Sequence, residues 1–349
     1  MSGRGLLAEW RDAIRPRAVT LVVGVLLLQL GFILSYAGAF HSPSPHRMRL
    51  AVVVPASAPA GAAQQLAGKL DGLSGSPLRA SVLPDRAHAV DALRHRRLDG
   101  ALVLATSGPD ELLVASAEGG SLSSAMETVL SAAEHQQRRT LRVHDVVPAS
   151  TGDARGLTSF YLAVGWVVGG YLVASILAIS AGARPANLTR ARIRLSALAV
   201  YSIASGIGGA VIVGPALGAL TGSFWTLAGF GALIVFAVGA FTMAIESLAG
   251  IVGIGIAVLL FVVLGNPSAG GAYPAPLLPP FWRAIGSYIP TGAGTSGVRG
   301  IVYFGDAGLT RPLLVTAVYA AAGIAVLLLA GMRKPGGRGP DQSTSSAPA

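Results

Sequence analysis

The sequence predicts an α-helical polytopic membrane protein, with six transmembrane helices and a small α/β extracytoplasmic domain between the first and second. Three observations carry this prediction. Apolar residues make up 52% of the chain and charged ones only 12%, where a soluble domain averages about 25% charged. Six segments approach the roughly 20 apolar residues that cross a bilayer core. The stretch between the first two segments is different material, with strand-like and helix-like runs in alternation.

In chain order, residues 1–17 form a basic segment. Leu6, Leu7, Trp10 and Ile14 share one helical face, and Glu9, Arg11, Asp12 and Arg15 the other. That pattern is expected of a short helix lying on a membrane surface. The first span covers 18–40. Ala37-Gly38-Ala39 resembles a signal-peptidase site, but the apolar run of about 20 residues exceeds a signal h-region of about 7–15, so an uncleaved anchor is expected. The remaining spans are expected at 160–180, 196–220, 224–245, 248–264 and 313–331, the fifth being short and glycine-rich. They belong to a five-helix membrane region, 157–332. A Gly/Pro/Ser-rich tail, 333–349, is expected to be disordered and cytosolic.

The net charge of +10 is a topology signal. Residues 41–156 hold 12 Lys/Arg and 11 Asp/Glu, so nine of the ten excess charges lie in short flanks of apolar segments. Arg4, Arg11, Arg15 and Arg17 precede the first span; Arg184, Arg190, Arg192 and Arg194 separate the second and third; Arg333, Lys334 and Arg338 follow the sixth. With six spans all three clusters fall on one side, which the positive-inside rule makes cytosolic. Both termini are then cytosolic, and 41–156 and 266–310 are extracytoplasmic. The pattern does not read as a nucleic-acid face.

Within 41–156, strands are expected near 50–55, 78–83, 101–105, 111–116 and 141–147, and helices near 60–73, 85–96 and 121–139. Asp85 and Ser121 are expected N-caps. About 100 residues suffice for a separate core.

The segment GNPSAGGAYPAPLLPPFW, residues 265–282, opens the last external stretch. Pro267 cannot continue a helical ladder, and Gly270-Gly271 offers a turn. Pro279-Pro280 suits the first turn of a helix carrying Phe281, Trp282 and Ile285, with Arg283 as its lone charge. Pro290-Thr291-Gly292 is expected to break the chain before a second apolar segment at 293–304. Two short apolar helices between spans suggest a re-entrant hairpin, since irregular backbone at membrane depth must be buried in protein or line a cavity.

Other chemistries find no residues. There is no cysteine. All six histidines lie between His41 and His144, and His88 and His95, seven apart on one helical face, are too distant to share an ion. Gly294-Thr295-Ser296-Gly297 matches a GxSG serine motif, but no histidine follows residue 144 to serve as base. No P-loop is present: Lys69 and Lys334 stand outside any GxxxxGK[ST] context. Glu246 is expected in the turn between the fourth and fifth spans, leaving the span interiors without ionisable groups. That argues against a proton-driven carrier. Gly165/Gly169 and Gly214/Gly218 form GxxxG pairs suited to close packing, and Pro215 is expected to kink the third span.

NPSAGG followed by LLPPFWRAIGSYIPTGAGTSGVRGIVYFG resembles the loop before the last helix of ABC-2-type permeases, particularly the branch related to phage-infection-protein-like membrane proteins. AVDALRHRRLDGALVLA, 89–105, is similar to the helix–strand segment of that branch's external domain. The resemblance spans almost the whole chain. It implies an ABC-2-type permease subunit of an exporter, working as a homodimer or as a heterodimer with a second permease, with a separate ATP-binding-cassette ATPase that uses the ATP. The permease itself binds no cofactor and no metal.

The same resemblance implies that the loop carrying Arg184, Arg190, Arg192 and Arg194 contacts the ATPase. It also implies that 266–310 closes the outer end of the pathway. Candidate gate residues are Asn266, Pro267, Gly270, Gly271, Pro279, Pro280, Phe281, Arg283, Pro290, Gly292, Arg299, Tyr303 and Phe304. The uncharged spans suggest a hydrophobic or amphipathic substrate. The alternative is a membrane-anchored envelope or receptor protein whose α/β domain binds a ligand or surface polymer.

Overall fold

The computed structural model describes residues 16–332. The surface helix expected at 6–14 and the tail at 333–349 lie outside the described residues. Five helices are long and apolar enough to cross a membrane: α1 (Val19–Phe40 within Pro16–Phe40), α5 (Thr158–Ala181), α6 (Leu188–Ala216), α7 (Phe224–Ala249) and α11 (Thr310–Met332). A sixth, α8 (Val252–Ser268), is apolar but shorter, below the roughly 20 residues of a straight span.

Between α1 and α5 lies the α/β domain. Its elements are β1 (Met48–Val53), α2 (Ala62–Asp71), β2 (Leu78–Val82), α3 (Arg86–Arg94), β3 (Gly100–Val103), β4 (Asp110–Val114), α4 (Gly120–Gln136) and β5 (Leu141–Asp145). All eight expected elements form. The sheet order is β2-β1-β3-β4-β5. Only the β3–β4 pair is antiparallel. Alternate side chains on β1 feed two cores: Leu50 and Val52 meet Leu70, Met126 and Leu130, while Ala51 and Val53 meet Ala89 and Leu93. This is the period-2 division of a sheet covered on both faces. Asp85 caps α3 as expected, accepting from His88 N at 2.9 Å. Ser121 is not a cap: α4 begins one residue earlier, and Ser121 Oγ instead donates to Ala272 O at 2.7 Å, across to the hairpin.

One feature of this domain responds to pH. Glu134 and Asp110 are both buried, and Arg139 pairs with Asp110. Glu134 Oε2 has no hydrogen-bond partner among the described residues and lies 3.8 Å from Arg139 Nε. Burial, reinforced by the neighbouring Asp110, raises the Glu134 carboxyl from 4.5 to about 7. The folded protein therefore holds this proton more tightly than the unfolded chain. The stability it contributes is complete below pH 4.5 and is lost as pH rises through about 7. The domain is expected to be more stable at pH 5 than at pH 8, by about 1–2 kcal/mol. Glu134→Gln should flatten that dependence, as read by hydrogen exchange of α4 amides in the full-length protein.

α5, α6 and α11 pack around α7, whereas α1 packs against α8. The neighbours of α7 approach through single glycines rather than the GxxxG pairs. A Cβ on Gly206 would lie 2.3 Å from Ala228 O, and one on Gly323 would lie 2.5 Å from Ala240 C, whereas Gly165 and Gly218 have nothing within 4 Å. The expected kink at Pro215 takes the form of a π-helical last turn, Ile212–Ala216. Glu246 is not in a turn. It lies in the last turn of α7, fully buried, with Ser175 Oγ donating to it at 2.8 Å.

α8 also widens to a π-helix over Leu259–Leu264 and then runs on through Pro267 to Ser268, beyond the end expected from the sequence. Pro267 brings no N–H, so the carbonyl four residues back, that of Val263, loses its helical partner. Ser35 Oγ of α1 donates to that carbonyl. Thr291 Oγ1 does the same for Phe261 O at 3.2 Å. The irregular backbone of α8 is thus satisfied by side chains of two neighbours, as buried backbone requires.

Beyond Ser268 the chain turns at Gly270 (φ +73°) and forms a 3₁₀ turn at Ala275–Leu277. Then come α9 (Pro280–Gly286) and α10 (Pro290–Tyr303). Pro280 and Pro290 each occupy the first helical position, where the missing N–H costs nothing. The expected break at 290–292 is therefore displaced: Pro290 starts α10, Gly292 lies inside it, and the bend falls at 287–289. Most of α10 is buried, with Val298 and Ile301 in the core shared by α5 and α7.

Candidate functional site

The hairpin and the α/β domain meet in a buried polar seam. Leu277 is part of the core around Leu122 and Met126, and Tyr273 packs against it. His46 N donates to Pro276 O at 2.8 Å. These contacts join the hairpin's first turn to the domain.

Arg96 reaches across the seam. It occupies the cap position after α3 with φ +58°, a left-handed conformation in which glycine is usual. Its guanidinium grips Glu118 in a bidentate pair, at 3.0 and 2.9 Å. It also donates to Ser296 O at 2.9 Å and Ser296 Oγ at 3.1 Å, and lies 5.2 Å from the centre of the Phe304 ring. Burial alone would raise the Glu118 carboxyl, but Arg96, then Arg299 and Arg49, hold it below the usual range.

Arg299, one helical turn beyond Ser296, is 3% exposed. Its Nη groups donate to three carbonyls: Gly270 O at 2.9 Å, Gly156 O at 3.2 Å and Gly271 O at 3.4 Å. It therefore ties α10 both to the start of the hairpin and to the chain entering α5. Burial pushes its guanidinium below the usual value, against the opposing charges of Glu118 and Asp153. Tyr303 OH donates to Asp153 Oδ2 at 2.8 Å, while Asp153 Oδ1 accepts from Thr158 N and Oγ1 at the start of α5. Burial, with Asp153 beside it, raises the Tyr303 phenol to about 12, so it remains a donor.

Of the gate residues expected from the sequence, Gly270, Gly271, Arg299, Tyr303 and Phe304 converge here. Gly292 and Pro290 sit in the buried first turn of α10. Asn266 and Pro267 belong to α8, Asn266 facing Tyr36 of α1. Pro279 and Pro280 start α9, Phe281 is exposed, and the Arg283 side chain makes no polar contact among the described residues. Arg96, Glu118 and Asp153 were not anticipated. Arg96 lies in the recognised 89–105 segment, but nothing in one sequence pairs position 96 with 296.

At the other end of the helices, of the four arginines expected in the loop only Arg184 lies there; Arg190, Arg192 and Arg194 belong to the first two turns of α6, which begins earlier than the sequence suggested. Arg194 is buried and donates to Ala181 O, Gly182 O and Ala183 O, closing the C-terminus of α5. Arg184 Nε donates to Ser247 O at 2.7 Å and its Nη2 to Leu248 O, at the C-terminus of α7. Cations at these positions satisfy terminal carbonyls and oppose the helix dipole. Arg190 and Arg192 are exposed and unpaired among the described residues.

No protein-family model, no curated protein and no solved structure matches the chain. The likeness to ABC-2-type permeases rests on the residues of the hairpin and of 89–105.

Between α5 and the end of α6 lies an open groove of about 750 Å³, lined by Tyr161, Trp166, Ile212 and Leu217 among others. No charged side chain lines it.

Proposed function

We propose that the protein is the transmembrane permease subunit of an ABC-2-type exporter in the plasma membrane. It works as a homodimer, or as a heterodimer with a second permease, and is powered by a separate cytosolic ATPase. Its α/β domain faces outward and both termini face the cytosol. α8 completes the six spans, with Phe261 and Val263 of its π-helical stretch turned into the protein.

The observation that carries the reading is the twice-broken hairpin, held inside the helix bundle, latched to the α/β domain by Arg96 and to the chain entering α5 by Arg299. A loop held this way moves only with the helices it is pinned to. The cytosolic loop is tied at its root to α5 and α7 by Arg194 and Arg184, so a push on it is delivered to those two helices. α5 and α7 pack against α10, and the push reaches the hairpin through them. Arg190 and Arg192 are left free to meet an acidic ATPase surface. The uncharged groove beside α5 suits a hydrophobic or amphipathic cargo.

Purification of the protein together with the products of its chromosomal neighbours, under conditions that preserve complexes, is the test. A co-purifying P-loop ATPase is expected; absence of any ATPase would sink the transporter reading. Within the same system, replacing Pro279 and Pro280 together with alanine should loosen the start of α9. Export is expected to fall several-fold while ATPase binding is unchanged, and unaltered export would count against a gating role for the hairpin.

A further inference from the structure

We infer that the cavity where the hairpin meets the first turn of α11 is a binding site for a phosphate group, such as the headgroup of an anionic lipid. The cavity measures about 150 Å³ and is lined by Arg299, Arg311, Ser287, Ser296, Glu118 and Gly292, among others. At roughly 30 Å³ per water it holds about five waters, or one tetrahedral oxyanion with its solvation.

The lining is largely apolar but carries several side-chain donors with hydrogens to spare. Arg299 Nε–H has no acceptor among the described residues, although the residue is buried. Ser287 Oγ accepts from Arg311 Nη2 at 2.7 Å, and Ser296 Oγ accepts from Arg96. Each hydroxyl therefore keeps its own proton to donate. Arg311 forms no ion pair with any carboxylate among the described residues. The one lining carboxylate, Glu118, is engaged by Arg96. A cavity with unspent donors, two guanidinium groups and a neutralised carboxylate selects an anion with several acceptor oxygens.

The surroundings point to a lipid as the source. Arg311 stacks on Tyr288, 4.7 Å from the ring centre, and Tyr288 and Phe281 are both exposed. Aromatic side chains on the surface of an apolar bundle mark the headgroup level, and an arginine among them meets lipid phosphates. The inference requires that the hairpin meets a membrane surface; it does not require that the protein transports anything.

The full-length protein in detergent, titrated by native mass spectrometry, tests this with three probes: dihexanoyl-phosphatidylglycerol, inorganic phosphate and dihexanoylglycerol. Phosphatidylglycerol is expected to bind. Arg311→Ala should weaken that binding about tenfold or more, the loss of a charge-assisted contact, and Ser287→Ala should weaken it in the same direction. Arg142→Ala, at an exposed position on β5, should leave it unchanged. Phosphatidylglycerol without inorganic phosphate assigns the site to lipid headgroups; both together, lost in the same variants, assign it to the phosphate group from either source. Equal binding in wild type and both cavity variants, binding of dihexanoylglycerol as tight as that of the phospholipid, or no binding of either phosphate probe would overturn the proposal.

Discussion

Replacing Arg299 with alanine is expected to destabilise the protein by about 3–5 kcal/mol, the range for removing one member of a buried charged network. Three carbonyls, from Gly156, Gly270 and Gly271, would lose their donor inside the protein. Glu118 and Asp153 would each lose a compensating charge. Arg299→Lys should not rescue the loss, because one ammonium cannot place donors at both ends of a planar fork. Thermal unfolding in detergent reads the effect. An unchanged melting temperature in Arg299→Ala would mean the seam is not what holds the hairpin. The companion substitution Arg96→Ala should cost less, since Arg96 is only partly buried and a shortened side chain leaves Glu118 with access to water.

A second large effect is expected from a single methyl group. A Cβ on Gly286 would lie 2.0 Å from Ser268 O and 3.0 Å from Ser268 C. Both are backbone atoms, so no side chain can swing aside. Gly292 repeats the situation with Gly286 O at 2.1 Å. α9, the bend and the end of α8 are thus stacked backbone on backbone, and Gly286→Ala must pry them apart. Overpacking of this kind costs about 1–3 kcal/mol, occasionally more. Export should fall further than stability because the displaced segment is the hairpin itself. Gly255→Ala is the control: nothing lies within 4 Å of its added Cβ, and alanine is the better helix former by about 1 kcal/mol. Measured side by side by thermal unfolding, Gly286→Ala should lower the melting temperature and Gly255→Ala should not.

These residues also show where sequence reading succeeds and where it stops. The strands and helices of the α/β domain were legible because short strand-like runs alternate along the chain with helical patterns. The long apolar helices were legible from length and composition. α8 was read as a short span ending before Pro267; its π-helical stretch hides in a uniformly apolar run, and the side chains that satisfy it, Ser35 and Thr291, are far away in sequence. The same limit explains the glycines. GxxxG spacing singled out Gly165/Gly169 and Gly214/Gly218; of these only Gly169 meets a neighbouring helix closely, at Tyr201, and the backbone-to-backbone approaches fall on Gly206 and Gly323, chosen by which helices become neighbours. It explains the arginines as well. Four of them in one loop looked like one surface, but Arg184 and Arg194 are consumed by helix C-termini whose carbonyls needed donors. Arg299 was singled out with the hairpin, whereas its partners across the seam, at 118 and 153, follow only from the tertiary fold.

The measurement that bears most directly on the central claim uses the absence of cysteine from the chain. Arg192→Cys provides a unique thiol on the exposed face of the first turns of α6, beside the α5–α6 loop, and Arg142→Cys a unique thiol on the α/β domain. In intact cells, a membrane-impermeant maleimide is expected to label Arg142→Cys and spare Arg192→Cys. A thiol-directed photocrosslinker on Arg192→Cys is then expected to capture a P-loop ATPase. Labelling of both positions from outside, or capture of the ATPase from position 142 and not from 192, would contradict a permease driven through that loop.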